Sequence, residues 1–212
     1  GKKAVYTPNY VLNRSLKPYI ADRPFDTIRL IYFGRVSESK NVDVVIKVAY
    51  ELEKAGYKTS TTVIGGYTEA YKAKLEQTIK EYRLDNDKVQ IIGQQPFDKI
   101  CDALQKVHFF VFPSQEKMEG HSNSLTEAMT FGVVPVVSTA GFNASIVGNK
   151  ELVVDSIDPM KYARVIESVI EKNVWSEYSL AVYRRIKENY TEDIVKKNIL
   201  CAVDELEDGE NE

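Results

Sequence analysis

The chain has 212 residues, of which 43% are apolar and 28% are charged, a globular composition that excludes a disordered or fibrous protein. Its 28 lysines and arginines face 31 aspartates and glutamates, and six of these acids fall in the last ten residues. Without that acidic end, 28 bases would face 25 acids, a surplus too weak for a duplex nucleic-acid binder, so no nucleic-acid partner is expected. No signal peptide or apolar run of roughly 18 residues occurs. A cytoplasmic location is therefore expected, with Cys101 and Cys201 as reduced thiols in the core.

Six short β-rich segments recur along the chain, and stretches of helical periodicity separate them. The predicted strands span residues 28–33, 59–64, 88–92, 108–112, 133–138 and 152–154. Strands that alternate with helices predict an α/β protein, with a Rossmann-like, doubly wound parallel sheet covered on both faces. Ligands of such sheets bind at the carboxyl ends of the strands, so the loops after the strands are the place to look for a site.

The helical stretches carry start and stop signals. Gly56 follows the first helix at a position that favours a left-handed residue, and Asp158-Pro159 predicts an N-cap and a first-turn proline. The first helix has one apolar stripe, made of Val42, Val45, Ile46, Ala49 and Leu52, and the second repeats the pattern with Tyr71, Leu75, Ile79 and Tyr82.

Three segments follow from these patterns. Residues 1–25 contain three prolines and are expected to be a linker remnant between domains. Residues 26–190 form the predicted ligand-binding domain, and residues 191–212 a C-terminal helix with an acidic tail. Because the chain begins with Gly1 instead of Met, we expect it to be a piece of a longer protein.

The loop after the first strand brings two cations to the ligand edge. Gly34 allows close approach of the backbone to a ligand, and Arg35 and Lys40 follow it beside the start of a helix near Asn41. Two cations at a helix N-terminus suit a diphosphate. On spacing alone, the alternative that both are solvated charges paired with Glu38 stays open.

The loop after the fourth strand leads into a buried helix that points its N-terminus at the same edge. This helix is expected to begin around Ser124, and backbone N–H groups from Gly120 onward would be free to bind phosphate or sugar oxygens. Gly120 permits an unusual backbone angle there. Glu119, just before Gly120, caps no helix and has no i,i+4 partner, so the sequence gives its carboxylate no structural role. The helix shows as an apolar repeat of Leu125, Ala128, Met129 and Gly132.

Glu127 has two interpretations. Ser124-Leu125-Thr126-Glu127 has the form of a capping box, in which the glutamate caps its own helix; alternatively, its carboxylate serves a ligand. His121 can equally be a surface loop residue, and His108, at a strand start, is expected to be packed instead of catalytic. Gly65-Gly66 after the second strand is interpreted as a tight turn with a structural role, and the alternative that it faces the ligand stays open.

Several chemistries are excluded because their motifs are absent. The sequence has no G-x-G-x-x-G after a strand, no phosphate-binding P-loop, no H-E-x-x-H, no C-x-x-C and no G-x-S-x-G. With two histidines far apart and no cysteine pair, no metal site is expected.

Together these motifs resemble the C-terminal, donor-binding domain of the family 4 (group 1) retaining glycosyltransferases, which have the two-domain GT-B fold. The resemblance covers roughly residues 28–188, and the segment Val5-Tyr6-Thr7-Pro8-Asn9 is similar to the family's interdomain link. Three features carry it: Gly34-Arg35 with Lys40 looks like the family's G-R-x-x-x-x-K diphosphate loop, Gly65-Gly66 like its strand-end glycines, and Glu119 with Glu127-Ala128-Met129 like its glutamate-pair motif.

The resemblance implies a role for each matching residue. Arg35 and Lys40 would hold the donor diphosphate and stabilise the leaving nucleotide, so that neither a metal nor a cofactor is needed. Glu119 would lie against the transferred sugar as a catalytic residue, and Glu127 would accept hydrogen bonds from the ribose. The other donor contacts that it implies come from Gly34, Gly65, Gly93, Gly120, His121, Ser122, Asn123 and Ser124.

By the same resemblance, the chain is one half of a GT-B enzyme that transfers a hexose from a nucleoside-diphosphate sugar, UDP in preference to GDP. The acceptor, a glycan or lipid-linked molecule, would be held by an N-terminal domain, and the full-length protein would act in polysaccharide biosynthesis with peripheral membrane association. The isolated chain should be inactive or weakly active. Two alternatives stay open: a sugar-nucleotide epimerase or phosphorylase on the same fold, and a non-catalytic nucleotide-binding or assembly module.

Overall fold

The computed structural model describes residues 7–12, 19, 22–85, 87–116 and 119–208, without the side chains of 205–208. Short 3-10 turns lie at Glu38–Lys40 and Lys150–Leu152. The strands are β1 (Ile28–Phe33), β2 (Thr59–Ile64), β3 (Val89–Ile92), β4 (Phe109–Phe112), β5 (Val134–Ser138) and β6 (Val153–Val154). The helices are α1 (Val42–Lys54), α2 (Glu69–Glu81), α3 (Phe97–Leu104), α4 (Asn123–Thr130), α5 (Asn143–Val147), α6 (Pro159–Glu171), α7 (Trp175–Asn189) and α8 (Glu192–Asp208).

The strands form one parallel sheet in the order β3-β2-β1-β4-β5-β6. Helix α1 packs against α2 and α6, while α4 packs against α5 and α7, so the helices form two separate layers on the sheet. The predicted α/β architecture with a doubly wound parallel sheet is confirmed. All six predicted strands are present: β1 and β2 agree at both ends, and the other four begin one residue later than predicted.

The two central strands form the middle of the core. In β4 every residue is buried, and in β1 the run from Leu30 to Tyr32 has no exposed surface. β4 is apolar throughout, and β1 is apolar from Leu30 onward after the polar Arg29, because helices cover both faces of a parallel sheet. These strands therefore give the loops at their carboxyl ends a rigid base.

The helix signals predicted for α1 and α6 are confirmed. Asp158 caps α6 by accepting a hydrogen bond from the Met160 N–H at 3.0 Å, with Pro159 in the first turn. Gly56, just after α1, has a φ of 93°. The predicted apolar stripe of α1 is buried at all five positions: Val42, Val45, Ile46, Ala49 and Leu52.

The described part of the N-terminal segment packs on this domain. The Val11 N–H donates to the carbonyl of Tyr190 at 2.8 Å. Arg23 is buried, and its guanidinium donates to the carbonyls of Val107 and Phe131. The predicted segment boundaries after residues 25 and 190 stay predictions, and residues 1–6, 13–18 and 209–212 lie outside the described part of the chain.

Two further expectations concern the environment of the chain. Within the described residues, no helix combines the length and the apolar character that a membrane crossing requires. Both cysteines carry thiols; Cys101 is buried as predicted, but Cys201 is exposed. The prediction that Cys201 lies in the core is wrong, because it falls on the solvent side of α8.

Candidate functional site

The strand order reverses between β1 and β4, and the loops after these two strands meet at that point. The Gln115 N–H donates to the carbonyl of Ser39 at 2.9 Å, and the Asn41 side-chain amide donates to the carbonyl of Pro113 at 3.0 Å. In open α/β sheets, ligands bind in the crevice at such a reversal. The two loops that the sequence singled out therefore lie side by side where a ligand is expected.

A cleft of about 520 Å³ opens at this edge. Gly93, a predicted donor contact, does not line the cleft itself but directly precedes the lining residue Gln94 after β3. The sequence pointed to the loop after β3 only through Gly93. Five further lining residues were not among the predicted contacts: Phe33, Ile64, Gln94, Gln95 and Ile100. The lining brings together six predicted donor-site residues: Gly34, Arg35, Gly65, Asn123, Ser124 and Glu127. Five other predicted residues do not line it: Lys40, Glu119, Gly120, His121 and Ser122.

Two glycines form the floor of the cleft. Gly34 and Gly65 have φ values of 134° and 152°, in the region that favours glycine. A β carbon on Gly65 would lie 1.7 Å from the carbonyl oxygen of Gly34, which no side chain tolerates. The ends of β1 and β2 therefore approach each other closely, and main chain instead of side chains lines the cleft there.

The predicted cations belong to a cluster of opposite charges. Lys40 is buried, and its ammonium lies 2.5 Å from a carboxylate oxygen of Glu119 and 3.3 Å from one of Glu116. Glu119 also accepts a hydrogen bond from the Ser114 hydroxyl. The exposed Arg35 guanidinium pairs with Glu116 at 2.9 Å. This cluster of Arg35, Lys40, Glu116 and Glu119 joins the loops after β1 and β4.

These contacts correct two expectations. The alternative that Arg35 and Lys40 pair with Glu38 is wrong, because Glu38 pairs with Lys74 at 3.2 Å instead. Glu119 does have a partner, since Lys40 comes from a loop that is distant in sequence but adjacent across the sheet. Glu116 was not among the predicted residues, and its only signal in the sequence is a charge two residues after Ser114 in the loop after β4.

Helix α4 begins at the cleft and is capped by Ser122. The Ser122 hydroxyl accepts a hydrogen bond from the Leu125 N–H at 3.4 Å. The side-chain amide of Asn9 donates to Asn123 Oδ1 at 2.9 Å and to the carbonyl of His121 at 3.2 Å, so the N-terminal segment holds the turn before α4. Gly120 does not use its conformational freedom: it is not among the glycines with positive φ.

Glu127 projects from α4 into the cleft. Its side chain is half-buried, and among the described residues its carboxylate has no hydrogen-bond partner. Burial raises the pKa of Glu127 to about 7. The capping-box interpretation is wrong, because Ser122 and not Ser124 is the cap, which leaves Glu127 too far along the helix to cap it.

The two histidines have different surroundings. His108 is fully buried, accepts a hydrogen bond from the Arg29 N–H at 3.0 Å and stacks on Phe25, so its predicted packing role is confirmed. Burial lowers the pKa of His108 and that of His121 to about 4 each. The His121 ring lies 5.1 Å from that of Tyr190, beside the turn before α4. Both rings are therefore neutral near pH 7.

Acidic and histidine side chains do not gather into a metal centre in the part of the chain described: no group of three His, Cys, Asp or Glu residues there is placed to hold an ion. The arrangement instead offers main-chain donors, a helix N-terminus, one exposed guanidinium and one carboxylate around a single cleft. Such a set can hold an anion at one end and a group with hydroxyl donors at the other.

Comparisons with known proteins point to one family. The family model "Glycosyl transferases group 1" matches residues 20–192. The amylovoran biosynthesis glycosyltransferase AmsK from Erwinia amylovora is 31% identical over 124 residues, covering 57% of this chain and 30% of that protein. The chain spans 24% to 36% of the length of the curated relatives that it matches.

Solved structures show the same fold. Sucrose-phosphate synthase from Thermosynechococcus elongatus superposes with a TM-score of 0.78 at 18% identity, covering 96% of this chain and 52% of that one. HepE from Anabaena, crystallised in complex with UDP, superposes with a TM-score of 0.74 at 16% identity, covering 85% of this chain and 49% of that one. The domain is thus one half of a GT-B fold.

Proposed function

The chain belongs to the group 1 glycosyl transferases, and on that premise we propose that it is the donor-binding half of a retaining enzyme. This enzyme transfers a hexose from a nucleoside-diphosphate sugar, UDP in preference to GDP, to a glycan or lipid-linked acceptor. The observation that carries the proposal is the cleft at the β1/β4 reversal, which is lined by strand-end glycines, Arg35, the first turn of α4 and Glu127. The UDP bound to HepE supports the choice of nucleotide.

The diphosphate would bind between the Gly34-Arg35 loop and the N-terminus of α4. There it would meet main-chain N–H groups, the positive end of a helix dipole and the Arg35 guanidinium. As the bond between sugar and phosphate breaks, negative charge grows on the leaving diphosphate. Arg35, with Lys40 behind it, would stabilise that charge, and the proposed mechanism assigns no step to a metal.

The ribose would lie against Glu127. Two neighbouring hydroxyls of a ribose are donors, and the half-buried Glu127 carboxylate lacks a donor among the described residues. The ionised carboxylate accepts such bonds best. Because burial raises the pKa of Glu127 to about 7, nucleotide binding should weaken as the pH falls below about 7.

The sugar would lie near Glu119 and the turn before α4. Glu119 is held by Lys40 and Ser114 in the free chain, so its carboxylate is already oriented when the donor arrives. The acceptor would bind to a domain outside this chain. We propose that the full-length protein serves polysaccharide biosynthesis in the cytoplasm, and the role of AmsK in amylovoran biosynthesis supports the biosynthetic part of this proposal.

Isothermal titration with UDP and GDP tests this proposal. Arg35→Ala should weaken UDP binding by about tenfold or more, because a charge-assisted hydrogen bond contributes roughly 1.5–3 kcal/mol. Arg164→Ala is the matched control, since Arg164 is exposed on α6 and does not line the cleft. Unchanged UDP affinity in Arg35→Ala would contradict the diphosphate assignment.

A non-catalytic nucleotide-binding module is the second candidate. The burial of the Lys40–Glu119 pair favours it, because a buried ion pair can serve the structure of the loops alone. The full-length protein, wild type beside Glu119→Gln, separates the two. Transferase activity that Glu119→Gln loses while it still binds UDP supports the enzyme, whereas a wild type that binds UDP but transfers no sugar supports the module.

A further inference from the structure

We propose that Glu116 is a built-in competitor of the donor diphosphate. In the free chain its carboxylate occupies the cations that the diphosphate would use, and it must leave them before the donor binds. This inference rests on the proposed function, since it assumes that the cleft takes a nucleoside diphosphate.

The geometry of the Glu116 carboxylate carries the proposal. A single oxygen, Oε2, accepts hydrogen bonds from Arg35 Nη2 at 2.9 Å and from Ser39 Oγ at 3.2 Å. The same oxygen lies 3.3 Å from Lys40 Nζ. Two cations and a hydroxyl from one loop thus converge on one anionic oxygen, which is how such groups hold a phosphate oxygen.

The two acids of the cluster are held with different strength. Glu119 has a side chain that is 9% exposed and is bound by both Lys40 and Ser114. Glu116 is 27% exposed and pairs with Arg35, which is 66% exposed. Water screens such a contact, so the Glu116 contact is the weaker one and the one that a ligand can replace. Glu119 can keep its bond to Lys40 meanwhile.

The charge of Glu116 is maintained by the same contacts. The hydrogen bond to Lys40 holds the pKa of Glu116 below its usual range, so the carboxylate is ionised throughout the neutral range. The two cations Arg35 and Lys40 are thus paired with the two carboxylates Glu116 and Glu119. A small anion that replaces Glu116 gains little binding free energy, because it exchanges one anion for another on the same cations. A diphosphate attached to a nucleoside gains more, because the nucleoside also contacts the cleft. Glu116 thereby selects for the complete nucleotide.

Titration of UDP and of uridine into three proteins tests the inference: the wild-type chain, Glu116→Gln and the control Glu38→Gln. Glutamine keeps the shape of the side chain and removes its charge. If Glu116 blocks the site most of the time, Glu116→Gln should bind UDP about 3- to 10-fold more tightly. Uridine lacks the diphosphate and should bind both proteins within about twofold, since it gains nothing from free cations.

The control separates competition from the general effect of removing an acid. Glu38 lies in the same loop but pairs with Lys74 at 3.2 Å and is 75% exposed. Glu38→Gln should change UDP affinity by less than about twofold, because screened surface charges interact weakly. An equal gain in Glu38→Gln would overturn the proposal. Thermal melting of each variant, with Glu116→Ala as a second replacement, verifies that the fold is intact.

Two failures are distinguishable. If Glu116→Gln and Glu116→Ala bind UDP no better than the wild type while Arg35→Ala binds it worse, the competitor role is refuted and the proposed function stands. If no variant and not even the wild type binds UDP or GDP, the proposed function fails, and the role of Glu116 fails with it.

Discussion

Replacing Lys40 by methionine should destabilise the chain by about 3–5 kcal/mol, the usual cost of removing one partner of a buried ion pair. The Lys40 and Glu119 side chains are 8% and 9% exposed, with 2.5 Å between ammonium and carboxylate. Methionine fills most of the space of the lysine stem, so the main loss is the charge that balances Glu119. Glu119 would keep its hydrogen bond from Ser114 but would lie nearly buried beside an apolar side chain.

The double variant Lys40→Met/Glu119→Gln gives the decisive comparison. It removes both charges, so it should be more stable than the sum of the two single changes implies, by about 1.5–3 kcal/mol. Urea unfolding followed by circular dichroism measures all three free energies of unfolding. Lys74→Met is the control, since its pair with Glu38 is more than half exposed on both sides, and it should cost less than about 0.5 kcal/mol.

Two results would refute this reasoning. If the free energy of unfolding of Lys40→Met lies within about 0.5 kcal/mol of the wild-type value, the pair is not a buried contact in solution. If the free energy of unfolding of the double variant falls by the sum of the two single losses, the two side chains do not interact.

Three further predictions follow from single residues. Gly65→Ala should lower the free energy of unfolding, measured by thermal melting, by more than about 2 kcal/mol, because its β carbon would lie 1.7 Å from the Gly34 carbonyl oxygen. The control Gly56→Ala, whose β carbon would have nothing within 4 Å, should lower it by about 1 kcal/mol. Equal losses in the two variants would contradict the close approach. Burial raises the folded-state pKa of Glu127 to about 7, so the folded chain binds the extra proton and stability falls as the pH rises through the range from about 4.5 to 7. In Glu127→Gln this fall should be smaller by about 1–2 kcal/mol in urea unfolding at pH 5 and pH 8, and identical pH dependence would rule out the raised pKa. Burial lowers the pKa of His108 to about 4, so the neutral ring's contribution to stability is complete above about pH 6.5 and is lost, by about 3 kcal/mol, as the pH falls towards 4. His108→Asn should reduce this acid-induced loss of unfolding free energy, and the same pH dependence in both proteins would contradict the lowered pKa.

The elements of the fold could be predicted from the sequence because each carries a local signal. The apolar runs of β1 and β4 identify strands buried on both faces, and Asp158-Pro159 identifies the start of α6. Strand ends are less well determined. His108 already donates its N–H to the carbonyl of Arg29 at 2.9 Å, yet β4 begins one residue later, since the ladder depends on the neighbouring strand.

The site could be predicted in part, for a topological reason. Loops after parallel strands meet at one edge of the sheet, so Gly34 and Glu127 were expected to be neighbours without knowledge of any side chain. The charge pairing could not be foreseen, because the partner of Lys40 depends on how two distant loops meet. The choice of Ser122 over Ser124 as the cap of α4 has the same origin: both serines suit the role, and the path of the chain decides.

A crystal structure of the chain with UDP tests the central claim most directly. We expect the diphosphate between the Gly34-Arg35 loop and the first turn of α4, with Arg35 turned from Glu116 to the phosphate and the ribose hydroxyls on Glu127. A diphosphate bound at any other edge of the sheet, or one bound while Glu127 faces no ribose hydroxyl and Arg35 stays on Glu116, would contradict it.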